Sequence, residues 1–368
     1  MQHGYTPEQM SRSTIIPIPK NCRKSLNDSE NYRGIALSSP IGKLFDCILM
    51  NAFTEELKSS DFQFGYKENS STTKCTFVVN EIINYYNTNG SDVYVILLDA
   101  TKAFDRVHYI KLFELLLQRN LCPTVCRYLA LQYTNQMCCV KWSHVMSDTF
   151  GVANGVKQGG VLSPILFNVY MDYLLNKLKE SGAGCYIGNV FNGALSYADD
   201  LILLSPTRQG MKLLLQICEK YSIDFDISFN ASKSKMLYFG NNTKVNVFQL
   251  CGKDIEIVSH EKHLGNLIGK NSLEKQIQNN VNELYSNVNI LMAQFSSTTI
   301  DTKYQLFKSF CMSVYSSQLW DFSSTMCEKF FVAWRKCVRR LLSISPRTHS
   351  NLLHLICLDT KVDVQLHL

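Results

Sequence analysis

The run Val93-Tyr94-Val95-Ile96-Leu97-Leu98 ends abruptly at Asp99. A short stretch of β-branched and aliphatic residues is too brief for a typical helix and suits a strand buried on both faces. A carboxylate at the exit of such a strand is costly unless something positive meets it. The same tension recurs downstream. Ala194 to Tyr197 and Leu201 to Leu204 are two strand-like runs, and Ala198-Asp199-Asp200 lies between them. That spacing predicts a β-hairpin with two adjacent carboxylates at a tight turn. Neighbouring carboxylates repel one another, and a divalent cation relieves the repulsion. Magnesium takes its oxygen ligands from carboxylates and substrate phosphates. Each motif has a bland alternative: Asp99 caps the next turn, or the Asp-Asp pair is an exposed turn without a ligand. The two alternatives have to be invoked separately.

Elsewhere the pattern is α+β. Ile15 to Lys20 carries Pro17 and Pro19 and should be extended, because proline pushes the preceding residue out of the helical region. Helical spacing covers Ile41 to Leu57, Thr73 to Tyr86, and Tyr109 to Arg119, the last with Ile110, Phe113 and Leu117 on one face. Ser163-Pro164 reads as N-cap and first helical residue of a helix reaching about Lys179. Gly182 and Gly184 then mark a turn. After about Lys270 the pattern becomes helical, with Leu273, Ile277, Val281, Leu284, Val288 and Leu291 in step. Asn271 with Glu274 resembles a capping box, and Asp301 is a candidate cap for a second helix. A third helix is expected over Phe330 to Leu342, before Pro346, and a domain boundary near residue 270.

The chain has 368 residues, 46% of them apolar, enough for one large core or two moderate ones. No apolar run approaches the ~20 residues of a membrane span. Met1 to Arg12 lacks the apolar stretch of a signal peptide. The default expectation is an intracellular protein, in nucleus or cytoplasm, with no membrane partner. The fourteen cysteines are scattered, the nearest being Cys122 with Cys126 and Cys138 with Cys139. They lack zinc-site spacing and read as reduced core residues. The net charge is +6, with Lys20, Arg23 and Lys24 near the start and Arg335, Lys336, Arg339 and Arg340 near the end. In a helix the latter four make two i,i+4 pairs on one stripe, which suits a phosphate backbone. The alternative is a solvated face.

Taken in order, these segments resemble the reverse transcriptase palm of non-LTR (LINE-like) retrotransposons. Asp99-Ala100-Thr101-Lys102-Ala103-Phe104-Asp105 looks like motif A, in the DxxKAFD form typical of those elements. Gly155 to Pro164, continuing through Phe167-Asn168, looks like motif B, and Tyr197 to Asp200 like motif C. Phe229-Asn230 with Lys233 resembles motif D, and His263-Leu264-Gly265 motif E. Upstream, Asn31 to Leu37 and Gln63-Phe64-Gly65-Tyr66 with Ser70-Ser71-Thr72 look like fingers motifs. Two departures are mild: Gly34 stands where a proline is common, and Tyr66-Lys67 where Phe-Arg is common. Trp334 to Ile356 resembles the segment after the palm. The resemblance implies a right-hand polymerase: fingers and palm over 13–269, a helical thumb and connection over 270–345, and 346–368 as the start of a truncated C-terminal region. A larger reading frame with an endonuclease is expected.

The implied activity is RNA-directed DNA polymerisation, with an RNA template, a DNA primer and deoxynucleoside triphosphates as partners and two Mg2+ ions as cofactor. By resemblance Asp99 and Asp199 carry both ions, Asp200 tunes the site, and the Ala100 carbonyl is a further ligand. Phe104 would be the steric gate against a 2′-hydroxyl. Lys20 and Arg33 would hold the triphosphate, Lys233 would sit near the leaving pyrophosphate, and Gln158 and Gly159 would abut the base pair. Gly155, Tyr197, Leu264 and Gly265 would lie along the template–primer. For Phe104 the alternative is a core phenylalanine; for Lys20, Arg33, Lys233, Gln158 and Gly159 ordinary turn or surface positions are a nearly equal alternative. Two rival readings are an RNA-dependent RNA polymerase, against which Phe104 and DxxKAFD count, and a decayed element that only binds RNA, against which the three intact carboxylates count. Nothing in the sequence bears on oligomeric state.

Overall fold

The Val93–Leu98 strand lies at the centre of a five-stranded sheet. In the computed structural model, which describes residues 6–241, 247–312, 314, 317–320, 322 and 324–356, the strand order is Ala194–Tyr197, Asp200–Ser205, Val93–Leu98, Lys235–Phe239, Glu256–Ile257. The central strand is flanked on both edges, which explains its nearly unbroken apolar sequence. Val93, Val95 and Ile96 are fully buried. All pairings are antiparallel except the last, between Lys235–Met236 and Glu256–Ile257.

The helix Ser163–Glu180 fills the core of the same unit. Leu166, Phe167, Val169, Tyr170, Met171, Leu174, Leu175 and Leu178 have no exposed surface, so the helix is buried on nearly every side. Its one buried carboxylate is satisfied. Asp172 pairs with Arg119 and accepts from the Ser60 N–H at 2.9 Å, as a buried charge requires. A second sheet joins Tyr32–Ser38, Arg12–Pro19, Met137–Trp142 and Val145–Met146. The extended segment expected at Ile15 to Lys20 is its antiparallel partner for Tyr32–Ser38.

The chain divides into two compact units, Met1–Ser71 with Ile82–Ile257, and Thr72–Glu81 with Val258–Leu368. The division precedes the expected boundary near 270 because the hairpin His260–His263 and Asn266–Gly269 goes with the helices. Buried Asn266 donates to Thr76 Oγ1 at 2.9 Å, and its Oδ1 accepts from Gln276 at 3.4 Å. In this second unit the helix Ser272–Gln294 buries Ile277, Val281, Leu284, Val288 and Leu291, the stripe expected from spacing. The helices Ile300–Phe310 and Thr325–Leu341 add Tyr304, Phe307, Phe330, Trp334 and Val338 to the same core. Of the expected C-terminal region 346–368, residues beyond 356 lie outside the described ones.

Several local expectations need correction. The helix Tyr109–Gln118 buries Tyr109, Leu112, Leu115 and Leu116, whereas Ile110 and Leu117 are 64% and 48% exposed. Ser163 is inside its helix and makes no cap; its hydroxyl is buried against the Tyr133 hydroxyl at 3.4 Å. Asn271 makes no side-chain cap, and Glu274 pairs with Lys329 instead. Thr299, not Asp301, caps the next helix. The basic stripe is largely spent within the chain: Arg335 pairs with Glu328, Arg339 donates to the Thr348 carbonyl, and Arg340 donates to Asn289. Among the described residues no helix is long and apolar enough to cross a membrane.

Burial of His263 generates a pH dependence. It is 6% exposed, and burial lowers its pKa from 6.5 to about 4. The folded state therefore keeps the ring neutral while the unfolded chain takes up a proton below pH 6.5. Its contribution is intact above 6.5 and is lost as pH falls toward 4. The loss is about 1.4 kcal/mol per unit, or about 2 kcal/mol at pH 5. Asp46 and Asp200, raised to about 6, shift stability in the opposite direction over the same range, so the His263 share is read from the difference: between pH 7.5 and pH 5, urea unfolding of His263→Gln should lose about 2 kcal/mol less than the wild type does.

Candidate active site

Tyr197 pairs with Asp200, so Ala198 and Asp199 form a two-residue turn, with Ala198 left-handed at φ 57°. On the other side Leu201 pairs with Leu98. One step further along that register brings Asp200 beside Asp99. Three carboxylates thus meet where two apolar strands end. The Asp200 carboxyl is pushed up to about 6, first by burial and then by the charges of Asp199 and Asp99. Asp199 is raised too, chiefly by burial, with Asp99 adding to the rise and Arg33 opposing it. The Asp99 side chain is 40% exposed, with Lys233 Nζ at 3.8 Å.

Segments distant in sequence fix these groups. The Asp99 N–H donates to Ser234 Oγ at 3.2 Å, and the Asp99 carbonyl accepts from the Asn230 N–H at 2.9 Å. Ser228–Phe229 pairs with Ala100–Thr101, putting Ala100 opposite Phe229. The Asn230 side chain accepts from the Ser232 N–H at 3.0 Å, closing the turn that presents Lys233. Phe104 stacks on Phe167 of the core helix with centroids 4.2 Å apart and planes 13° apart. Its edge meets the Tyr66 ring at 6.3 Å.

The Gly155–Gly159 tract runs between two of these segments. The N–H groups of Gly155 and Val156 donate to the carbonyls of Val107 and Phe104 at 2.9 and 2.8 Å. Gln158 donates to Asp105 at 3.0 Å, and its carbonyl accepts from the Ala36 N–H at 2.7 Å. Gly159, at φ 100°, lies against Ile35 and Ala36. Arg33 is exposed on the Tyr32–Ser38 strand, and Lys20 is exposed with its Nζ on the Glu30 carbonyl at 2.8 Å. The carboxylates, Ala100, Phe104, Gly155, Gln158, Gly159, Tyr197, Lys233, Lys20 and Arg33 all belong to the first unit. Leu264 and Gly265 belong to the second, where they form the left-handed turn of the His260–Gly269 hairpin.

Sequence reasoning assigned no role to Gln63 or Tyr66, although it quoted their tract. Gln63 is buried under the Ala198 turn, and Tyr66 stands exposed beside Phe104 with the Asp199 charge raising its hydroxyl pKa after burial. It also passed over Asp46, whose carboxyl burial raises to about 6 despite the charge of buried Lys157. A Gln before an apolar-Gly pair is the only hint the sequence held. Among the described residues no three acidic, His or Cys side chains already converge as a metal cage. A magnesium ion takes oxygen ligands from water and phosphate as well as from carboxylates.

Residues 18–279 match the family model for reverse transcriptase (RNA-dependent DNA polymerase). The chain belongs to that family, in the form carried by non-LTR, LINE-like retrotransposons. It is 26% identical over 230 residues to a Retrovirus-related Pol polyprotein from the type-2 retrotransposable element R2DM of Drosophila melanogaster, covering 62% of this chain and 22% of that one. It is 29% identical over 219 residues to the corresponding type-1 R2 protein of Nasonia vitripennis, covering 60% and 21%. It is 23% identical over 265 residues to the RNA-directed DNA polymerase from mobile element jockey of Drosophila melanogaster, covering 65% and 27%. The chain thus spans only 22% and 21% of the first two relatives' length. The solved structure of telomerase from Candida albicans, in complex with a TWJ fragment of telomeric RNA, matches with TM-score 0.53 at 11% identity. The match covers 95% of this chain and 65% of that one, and the shared fold is that of a right-hand polymerase. The family generally uses divalent metal ions.

Gly155 provides a direct check of the local geometry. At φ 91°, a Cβ there would sit 2.8 Å from the Asp105 Cα and carbonyl oxygen. Both are backbone atoms that cannot swing aside. Gly155→Ala is expected to cost about 2 kcal/mol of stability from backbone strain, read by thermal unfolding beside Gly151→Ala, whose nearest neighbour is a methionine sulfur at 3.9 Å.

Proposed function

We propose that the chain is the catalytic core of an RNA-directed DNA polymerase from a LINE-like retrotransposon. It extends a DNA primer's 3′-hydroxyl with deoxynucleotides on an RNA template. The observation that carries this reading is the meeting of Asp99, Asp199 and Asp200 at the ends of two adjacent strands, with the Asp199 and Asp200 carboxyls held above their ordinary pKa range. Hard oxygen donors that burial and mutual repulsion make reluctant to ionise fit a pair of magnesium ions. Asp99 and Asp199 would hold both, with Asp200 tuning the site and the Ala100 carbonyl as a further ligand. When bound, the ions lower the pKa of the attacking hydroxyl and neutralise charge on the leaving pyrophosphate.

The chain's own residues do the rest. Lys233, 3.8 Å from Asp99, brings a positive charge and a proton to the pyrophosphate side. Lys20 and Arg33 offer fixed cations to the triphosphate. Phe104, pinned by its stack on Phe167, stands as the wall under the sugar. Gln158 and Gly159 border the base pair, and Gly159 lets backbone approach it closely. Gly155 and Tyr197 lie along the template–primer, and the Leu264–Gly265 turn would meet the primer. The partners are an RNA template, a DNA primer and deoxynucleoside triphosphates, within the cell.

The test is extension of oligo(dT) on poly(rA) with magnesium and labelled dTTP, beside an Asp199→Ala, Asp200→Ala double variant. The wild type is expected to extend the primer and the double variant to fall to background. A folded wild type that binds the RNA but never extends it would reverse the proposal in favour of RNA binding alone. Phe104→Val is expected to raise the ratio of ribonucleotide to deoxynucleotide incorporation by about tenfold or more, one lost contact of about 1.4 kcal/mol in discrimination. An unchanged ratio would remove Phe104 from the sugar pocket.

A further inference from the structure

Gln63 is 1% exposed, and both ends of its amide are occupied. Its Oε1 accepts from the N–H groups of Ala198 and Gly65, each at 2.9 Å. Its Nε2 donates to Ser196 Oγ at 3.2 Å and reaches the Ala198 carbonyl at 3.4 Å. Ser196 Oγ donates to the same carbonyl at 2.8 Å. One side chain therefore meets both backbone polar groups of Ala198, the residue at φ 57° that immediately precedes Asp199. A left-handed alanine costs roughly 1 kcal/mol or more and persists only where its surroundings over-determine it.

The surroundings do so. Phe64 N–H donates to the Ser196 carbonyl and Ser196 N–H to the Phe62 carbonyl, each at 2.8 Å, so residues 62–64 run beside the hairpin like an added strand. A Cβ on Gly65 would lie 2.4 Å from the Ala198 nitrogen, so the turn rests directly on bare backbone. The Gly65 carbonyl in turn accepts from Asn168 Nδ2 at 2.7 Å, and Asn168 is 3% exposed on the core helix. A continuous hydrogen-bonded path runs from the buried helix through Gly65 and Gln63 to the peptide that carries Asp199.

We infer that Gln63 is a positioning residue, which aims the Asp199 carboxylate by clamping the Ala198 peptide and thereby sets divalent-ion affinity and turnover rather than nucleotide affinity. The inference rests on the polymerase reading above. Gln63→Met keeps the side chain's length and removes all four hydrogen bonds. Misplacement of a reacting group by ~1 Å can cost roughly a hundredfold in rate. Gln63→Met is expected to lower kcat by roughly that factor, to weaken magnesium binding measured by calorimetry without substrate about tenfold, and to leave KM for dTTP within about twofold. A role in stability alone would lower the unfolding temperature while leaving ion affinity and kcat of the folded fraction unchanged, and that result overturns the inference. So does a rise in KM with kcat intact. Should Gln63→Met fail to fold, Ser196→Ala, which removes one hydroxyl from the clamp, must shift ion affinity and kcat in the same direction, and no shift overturns the inference equally. A wild type that binds magnesium but does not extend a primer sinks the polymerase reading, while the calorimetric comparison still decides the clamp. A wild type that binds no ion sinks both.

Discussion

Repulsion between carboxylates at the ends of buried strands is the constraint on which the structure turns. Asp99, Asp199 and Asp200 close two neighbouring strands whose other residues are almost wholly buried. Burial raises the Asp199 and Asp200 carboxyls, and the charges of their neighbours raise them further. A chain selected only for stability would put apolar or neutral groups there. The surrounding architecture offsets that cost. Ser234 and Asn230 tie down the Asp99 backbone, Lys233 approaches its carboxylate, and Gln63 holds the turn before Asp199.

The core helix Ser163–Glu180 unites these supports. Its apolar residues fill the centre of the first unit, while its few polar ones face particular partners: Asn168 the Gly65 carbonyl, Asp172 the Arg119 guanidinium. Tyr170, also on this helix, donates to the Phe225 carbonyl at 2.6 Å and accepts from the His108 N–H. A polar group in a dry core is expensive unless its geometry is met, so each such bond fixes one neighbouring segment at one register. The loops that carry the carboxylates are thereby set from beneath.

What could be read from sequence follows from which physics is local. The Val93–Leu98 strand and the hairpin around Asp199 were legible because period and apolar runs report burial directly. The stripe on Ser272–Gln294 was legible for the same reason. Helix ends and faces were less so. Ser163, Asn271 and Asp301 have cap chemistry, yet tertiary partners or a neighbouring threonine took over. Ile110 and Leu117 look like core residues, but the Tyr109 helix turns its 112–115–116 side inward. The basic residues near 335–340 stand out in the sequence by charge alone, whereas the fold gives three of them partners within the chain: Glu328, the Thr348 carbonyl and, remote in sequence, Asn289. The role of Gln63 is invisible in the sequence for a related reason: its four hydrogen bonds reach Gly65, Ser196 and Ala198, and no local pattern encodes that closure.

The stack of Phe104 on Phe167 joins a ring beside the carboxylates to a side chain wholly inside the core. The position of one depends on the volume occupied by the other. Substrate choice, if Phe104 governs it, is then not owned by the surface of the site. A substitution deep in the helix, invisible to any ligand, would move the ring by changing what lies under it. Lineages of such chains could therefore drift in the sugars they accept through repacking alone, with every residue that meets the nucleotide left intact.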